Sequence, residues 1–288
     1  MGSLFVVGTP IGNLKDLSPR AVEVLKTCDL IAAEDTRYTL KLLNYFGIKT
    51  RRISYYKFNE RERSQQIIQR ILDEDINVAL VSNAGTPCIS DPGEEIVRLA
   101  RENRIAVYGI PGPSAIITAL SISGLPTGNF YFVGFLPKEA GAKNEVIQEL
   151  KTKRITTFIL YEAPQRIHKL AELLAQEFPH AKVCLCCDMT KKREKSYFGA
   201  IQEVIKMMAE DPGAEYGEYT VIVNTGYKAK VEKPFDICNE ALLINEVIQR
   251  GCTVKEAVKL AAKEHGISKK ELYEASLNLK SVLSDLIN

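Results

Sequence analysis

Short apolar runs alternate with amphipathic helical stretches through the first half of the chain, and this alternation constrains its fold more than any other feature. Leu4 to Val7, Leu30 to Ala33, Val78 to Val81 and Ile105 to Tyr108 are strand-length and rich in branched residues. Between them, helical patterns run over Pro19 to Thr27, Thr39 to Phe46, about Glu60 to Leu72, and Glu94 to Glu102. Strand and helix alternating in this way predict a largely parallel sheet with helices on both faces. In such sheets, small ligands sit at the carboxyl ends of the strands. The stretch after Val81 suits that role, because Gly85, Pro87, Pro92 and Gly93 prevent a regular element and leave backbone N–H groups free.

At 288 residues the chain exceeds what one core usually supports. The turn Pro111-Gly112-Pro113-Ser114 opens an apolar helical run, Ala115 to Ser121, which stops at Ser123-Gly124-Leu125-Pro126. The hinge between two domains is expected here. Strand candidates follow at Phe130 to Val133, Thr156 to Tyr161, Lys182 to Cys187 and Thr220 to Val223. Helices near Lys143 to Leu150, Gln165 to Gln176 and Ala200 to Ala209 separate them, so the second domain reads as α/β and more antiparallel. A polar linker, Ala229 to Pro234, leads to helical patterns at Glu240 to Arg250, Val254 to His265 and Ser268 to Leu279, the last with a Ser268-x-x-Glu271 capping box. These three helices form either a helix-turn-helix unit or a plain helical cap. The expected division is 1–118, 119–230 and 231–288: two α/β domains with a ligand cleft between them, plus a short C-terminal helical unit.

Several function classes are excluded or disfavoured by composition. No apolar run approaches the ~18 residues of a membrane span. The first residues enter a strand without the regions of a signal peptide, so a cytoplasmic protein is expected. Seven cysteines without a Cys-x-x-Cys pair argue against a disulfide framework or a zinc site, and Cys184, Cys186 and Cys187 read as small buried hydrophobes. His168, His180 and His265 lack metal-ligand spacing, and no metal is expected. Net charge is only +2, yet two local runs are basic. Arg51 to Arg63 carries five cations against two acids with Tyr55, Tyr56 and Phe58 interleaved, and Lys191 to Lys195 carries four cations against one acid. Aromatics among cations suit single-stranded or distorted RNA, while a solvated charged face accounts for either run alone.

Three more segments could carry chemistry. Gly8-Thr9-Pro10-Ile11-Gly12-Asn13-Leu14 follows the first strand, and its glycines would let a ligand approach the backbone, although it is neither a Walker loop nor a dinucleotide fingerprint. The helix start after Pro113 favours an anionic group such as a carboxylate. Ala33-Glu34-Asp35-Thr36-Arg37 is either a capped helix start with an ion pair or part of a polar substrate cleft; Tyr161-Glu162-Ala163-Pro164-Gln165-Arg166 repeats that theme.

In order along the chain, Thr9 to Leu14, Ala33 to Arg37, Asn59-Glu60, Ala84 to Pro87 through Asp91-Pro92-Gly93, Pro111 to Ala115, Ser123 to Pro126, Gly134-Phe135-Leu136-Pro137 and Tyr161-Glu162 together resemble the tetrapyrrole-methylase superfamily of S-adenosylmethionine-dependent methyltransferases. Within it they are similar to the branch that methylates the 2'-hydroxyl of a cytidine in the decoding region of small-subunit (16S) ribosomal RNA. The resemblance implies a homodimer with S-adenosylmethionine in the cleft between two α/β domains. It places Pro10, Asn83, Gly85, Thr86, Ile89, Ser90, Ser114 and Ala115 on donor-binding loops, and Phe135, Leu136 and Tyr161 on the adenosine side. Glu34, Asp35 and Glu60 are the candidate proton acceptors for the ribose hydroxyl, with Arg37 as a phosphate or orienting partner. A tetrapyrrole methyltransferase and a non-catalytic RNA-binding relative are the alternatives. The chain departs from the family's pattern at Asn83, which replaces Asp, at Tyr56 and Phe58, which replace His, at Cys187-Asp188-Met189, and at Lys143-Asn144, where a basic pair is usual.

Overall fold

The computed structural model describes residues 2–226 and 238–287. It divides into two compact units, Met1–Tyr227 and Lys228–Asn288. The linker expected at Ala229 to Pro234 lies outside the described residues.

The first unit begins with five parallel strands, β1 (Ser3–Val7), β2 (Leu30–Ala33), β3 (Arg52–Ser54), β4 (Val78–Val81) and β5 (Ala106–Ile110), in the order β3-β2-β4-β1-β5. Helices α1 (Pro19–Thr27), α2 (Thr36–Tyr45), α3 (Glu60–Glu74) and α4 (Glu94–Glu102) connect them. Strand side chains alternate between faces. Ile31, Ala33, Ala79 and Val81 pack with Ala21 and Leu25 of α1 and Leu42 and Leu43 of α2. Leu30, Ala32, Val78 and Leu80 pack with Ile67 and Ile71 of α3 and Ile96 and Ala100 of α4 on the other face. Helix starts follow local chemistry: Ser18 Oγ accepts from Ala21 N at 3.1 Å ahead of Pro19, and Asp35 caps α2.

Helix α5 (Ala115–Ile122) leads to a second, mixed sheet of β6 (Tyr131–Phe135), β7 (Thr157–Glu162), β8 (Lys182–Cys187), β9 (Lys195–Ala200) and β10 (Tyr219–Asn224), in the order β6-β7-β10-β8-β9. Only β6 and β7 run parallel. Helices α6 (Ala140–Thr152), α7 (Ile167–Glu177) and α8 (Ile201–Glu210) cover one face through Ile147, Leu150, Leu170, Leu174 and Val204. The other face takes α5: Ile116, Ala119 and Leu120 pack on Ile159, Cys184, Cys186 and Ile222, with Ile11 from the loop after β1 at the margin. Helix α5 therefore belongs with the second sheet, and a boundary at 118/119 falls inside it. Strands β3 and β9 were not expected, because each is an edge strand lying in or beside a basic run, where no apolar stretch marks it. Cys184, Cys186 and Cys187 are buried, as small hydrophobes should be.

The second unit holds α9 (Asn239–Arg250), α10 (Val254–His265) and α11 (Lys269–Ile287) around its own small core of Leu243, Ala257, Val258, Ala261, Leu272 and Ala275. Thr253 and Glu256 form a full capping box, and Arg250 holds the carboxylates of Glu246 and Glu264 together. Among the described residues, no helix is long and apolar enough to cross a membrane.

Where β1 and β5 end, their backbones nearly touch. A Cβ on Gly112 would lie 2.6 Å from the Gly8 carbonyl oxygen, whereas one on Gly109 would meet nothing within 4 Å. Gly112→Ala is expected to lower the melting temperature clearly while Gly109→Ala changes it little, since only the first must displace backbone. Thermal melts of the two variants check this.

Candidate active site

The strand order puts a topological switch point at the carboxyl ends of β1 and β4: the connection from β1 leaves towards β2, that from β4 towards β5, and on opposite faces. Two backbone hydrogen bonds tie the loops there, Thr9 N to Gly85 O at 2.8 Å and Gly85 N to Thr9 O at 3.0 Å. Beyond Gly85 the loop is unusual, with Cys88 at φ 74° and Ser90 at φ 63°. Non-glycine residues in this region carry a conformational cost and persist where their surroundings hold them. Here Glu60 Oε1 accepts from Gly93 N at 2.7 Å and from the Tyr55 hydroxyl at 3.1 Å, anchoring the end of the loop to α3.

A cavity of about 500 Å³ opens between this rim and the second sheet. Ile11, Glu34, Asn83, Gly85, Thr86, Ile89, Ser90, Asp91, Ser114 and Ala115 line one side; Phe135, Tyr161, Glu162, Asp188, Met189, Lys191 and Glu218 are among those lining the other. Ser114 is the N-cap of α5, so the free N–H groups of that helix start face the cavity's edge. The Phe135 and Tyr161 rings stand 5.5 Å apart at 55° and form an aromatic wall. Glu34 Oε2 accepts from Asn83 N at 3.0 Å, while Asn83 Oδ1 is buried without a partner among the described residues. An unpaired buried acceptor in a cavity wall is open to a donor from a ligand or from solvent.

The electrostatics centre on Asp91. Burial, then the charge of Glu34, push its carboxyl up to about 7, against a hydrogen bond from Ser82. Burial and then the charge of Asp91 push the Tyr161 phenol up to about 12. Lys191 is fixed by Asp188 Oδ1 and Glu218 Oε2, both at 2.8 Å. Glu162 is nearly buried and bonds the Arg166 guanidinium.

Of the residues singled out from sequence, Glu34, Asn83, Gly85, Thr86, Ile89, Ser90, Ser114, Ala115, Phe135 and Tyr161 therefore converge on one cavity. Others lie elsewhere. Pro10 is buried beside the cavity, and Leu136, just past the end of β6, is in the core under α6 and α7. Asp35 points into the helix it caps, accepting from Arg37 N at 2.8 Å and Tyr38 N at 3.2 Å; Arg37 is largely in solvent, 3.7 Å from it. These two N–H groups hold the Asp35 carboxyl below its usual range. Glu60 is taken up by the loop anchor. The Cβ positions of Gly8 and Gly12 are taken by protein: one on Gly8 would lie 2.9 Å from Gly112 Cα and one on Gly12 2.6 Å from Lys191 Cγ. One further reading is corrected. Tyr55 is not a surface stacking residue but fully buried, whereas Tyr56 and Phe58 are exposed, Phe58 at 91%. The Lys191 to Lys195 run is also less free than its composition suggests, since Lys195 pairs with Asp211 at 2.7 Å.

Sequence reasoning missed Asp91, Asp188 and Glu218 as cavity residues. Asp91 stood inside the Asp-Pro-Gly segment that carried the resemblance, and its burial was the missing observation.

The sequence pattern of the tetrapyrrole (corrin/porphyrin) methylases matches residues 3–205, and the chain belongs to that family. An RsmI C-terminal HTH domain pattern matches residues 246–280. Over nearly its whole length the chain is similar to proteins named ribosomal RNA small subunit methyltransferase I. That of Escherichia coli O157:H7 is 39% identical over 96% of this chain and 95% of the relative, and that of Synechocystis sp. 39% identical over 98% and 99%. The relative from Bacillus subtilis is 38% identical over 96% and 94%. Among solved structures, the fold is shared with uroporphyrin-III C-methyltransferase from Thermus thermophilus complexed with S-adenyl homocysteine, at TM-score 0.53 and 18% identity, covering 77% of this chain and 97% of that one.

Asp35→Ala is expected to lower the melting temperature by a few degrees at neutral pH, because two backbone donors lose their acceptor. The Asp35 carboxyl is held below its unfolded value, so its contribution is present above that value and lost as pH falls. The gap between parent and variant should close in acid, which melts across a pH series check.

Proposed function

We propose that this protein is an S-adenosylmethionine-dependent methyltransferase that methylates the 2'-hydroxyl of a cytidine in the decoding region of small-subunit ribosomal RNA, acting as a cytoplasmic homodimer. The observation that carries the reading is the convergence of one polar rim and one aromatic wall on a single cavity, in a chain related over almost its full length to ribosomal RNA methyltransferases.

The cavity's chemistry fits the donor. Its volume is in the range of small-molecule sites. The start of α5 would take the carboxylate, the Phe135–Tyr161 wall the adenine, and the unpaired Asn83 Oδ1 a donor hydroxyl or amino group. When bound, the donor supplies a methyl group already activated on a sulfonium. The chain's own task is to align the ribose hydroxyl and to accept its proton. Asp91 is the acceptor best suited to this, being in the cavity with a carboxyl pushed up to about 7 by burial and then by the charge of Glu34, which also fixes the Asn83 backbone. Asp35 and Glu60 hold the scaffold, and Arg37 lies largely in solvent outside the cavity.

Mass-spectrometric mapping of 2'-O-methyl groups in small-subunit ribosomal RNA, with and without the protein, tests the function. A new 2'-O-methylcytidine in the decoding region is expected, and none with a porphyrinoid in place of RNA. Asp91→Asn is expected to cut transfer by about 10²-fold or more while sparing donor binding. In the parent, Asp91 is protonated below about 7, so transfer should rise with pH and level off above that value. The same raised value means that Asp91 contributes stability that is fully present below its unfolded value and lost as pH rises through 7. Asp91→Asn should therefore be more stable than the parent at pH 8, as melting curves will show.

A further inference from the structure

A second, smaller cavity of about 270 Å³ lies beside the first, lined by Lys138, Lys143, Arg166 and Lys169 above Leu136 and Leu170. We propose that this cleft holds a backbone phosphate of the RNA next to the nucleotide being methylated; the inference rests on the reading of this protein as an RNA methyltransferase.

The ends of β6 and β7 form the wall between the two cavities. Phe135 faces the large cavity and the next residue, Leu136, floors the small one. Tyr161 faces the large cavity and Glu162 lines both. A chain whose ribose reaches Asp91 thus runs past the cationic cleft. Four cations meet there with one carboxylate, that of Glu162, which is already bonded to Arg166. Among the described residues, Lys138, Lys143 and Lys169 have no carboxylate partner. Uncompensated cations over an apolar floor focus potential and attract anions. The lining has no aromatic ring on which a base could stack, and its donors are cations, which suits a phosphate.

Several cations of the basic runs visible in the sequence are already engaged. Lys191 and Lys195 are tied to Asp188, Glu218 and Asp211, and Arg52 donates to the Thr36 carbonyl. The cleft's cations come from α6, α7 and the turns before them, so only the fold assembles them.

The test is the double variant Lys143→Ala/Lys169→Ala, with Lys26→Ala/Lys206→Ala, two exposed lysines elsewhere, as the charge-matched control. Binding to a small-subunit RNA fragment is measured over a salt series. Two lost contacts should flatten the slope of log K against log salt by about 1.4. KM for RNA should rise several-fold, with donor affinity by calorimetry and melting temperature at parental values. The control pair should keep the parental slope. An unchanged slope and KM in the cleft variant, or equal effects in the control, overturns the inference. Inorganic phosphate separates the other source of the same chemistry: saturable binding of the free anion, with an RNA slope that the cleft variant does not alter, also overturns it. If the parent transfers methyl groups to RNA but the cleft variant matches it, only this inference falls; if the parent transfers none, the functional reading falls and takes the cleft with it.

Discussion

The paired hydrogen bonds between Thr9 and Gly85 are the constraint on which the rest of the site depends. They join the loops of two strands whose connections run in opposite directions, so neither loop can move without the other. The close approach of Gly8 and Gly112 adds the loop after β5 to the same assembly. Three strand ends thereby act as one rim. That rim can hold Cys88 and Ser90 in left-handed conformations, each costing on the order of 1–3 kcal/mol, because Glu60 and the Thr9 bridge determine both ends of the segment. A strained loop fixed in advance loses little freedom when a ligand arrives.

Much of this was legible in the sequence, and for a physical reason. Strands buried on both faces, such as Leu30 to Ala33 and Val78 to Val81, must be apolar throughout, and α1 begins at Pro19 as read; α2 begins at Thr36, ahead of the pattern read from Thr39, because Asp35 accepts from its orphan N–H groups. Two of the edge strands escape that logic. Arg52–Ser54 and Lys195–Ala200 each pair on one side only and lie in or beside a basic run, so no continuous apolar stretch marks them. The site divided in the same way. Loops punctuated by glycine and proline stood out, Asp91's among them, but what singles out Asp91 on its loop is the burial and the neighbouring Glu34 that only the fold gives it.

Charge shows the same gap between chain order and space. Runs that look basic along the sequence are partly neutralised by acids brought from elsewhere, as Asp188, Glu218 and Asp211 do for Lys191 and Lys195. Lys138, Lys143, Arg166 and Lys169 form no run in the sequence, yet meet in one cleft. Counting cations in a window therefore misjudges both sites, in opposite directions.

The seam between α5 and the second sheet has one more property. Cys184 and Cys186 lie directly beneath the helix with their sulfurs 3.7 Å apart, and the neighbouring thiol together with burial keeps Cys186 well above the usual thiol range. Neither thiol can meet an alkylating reagent while the helix lies on the sheet, so their labelling rate counts the openings of that seam. The molecule carries its own clock for the parting of helix and sheet, and any ligand that braces the start of α5 against the aromatic wall will slow it.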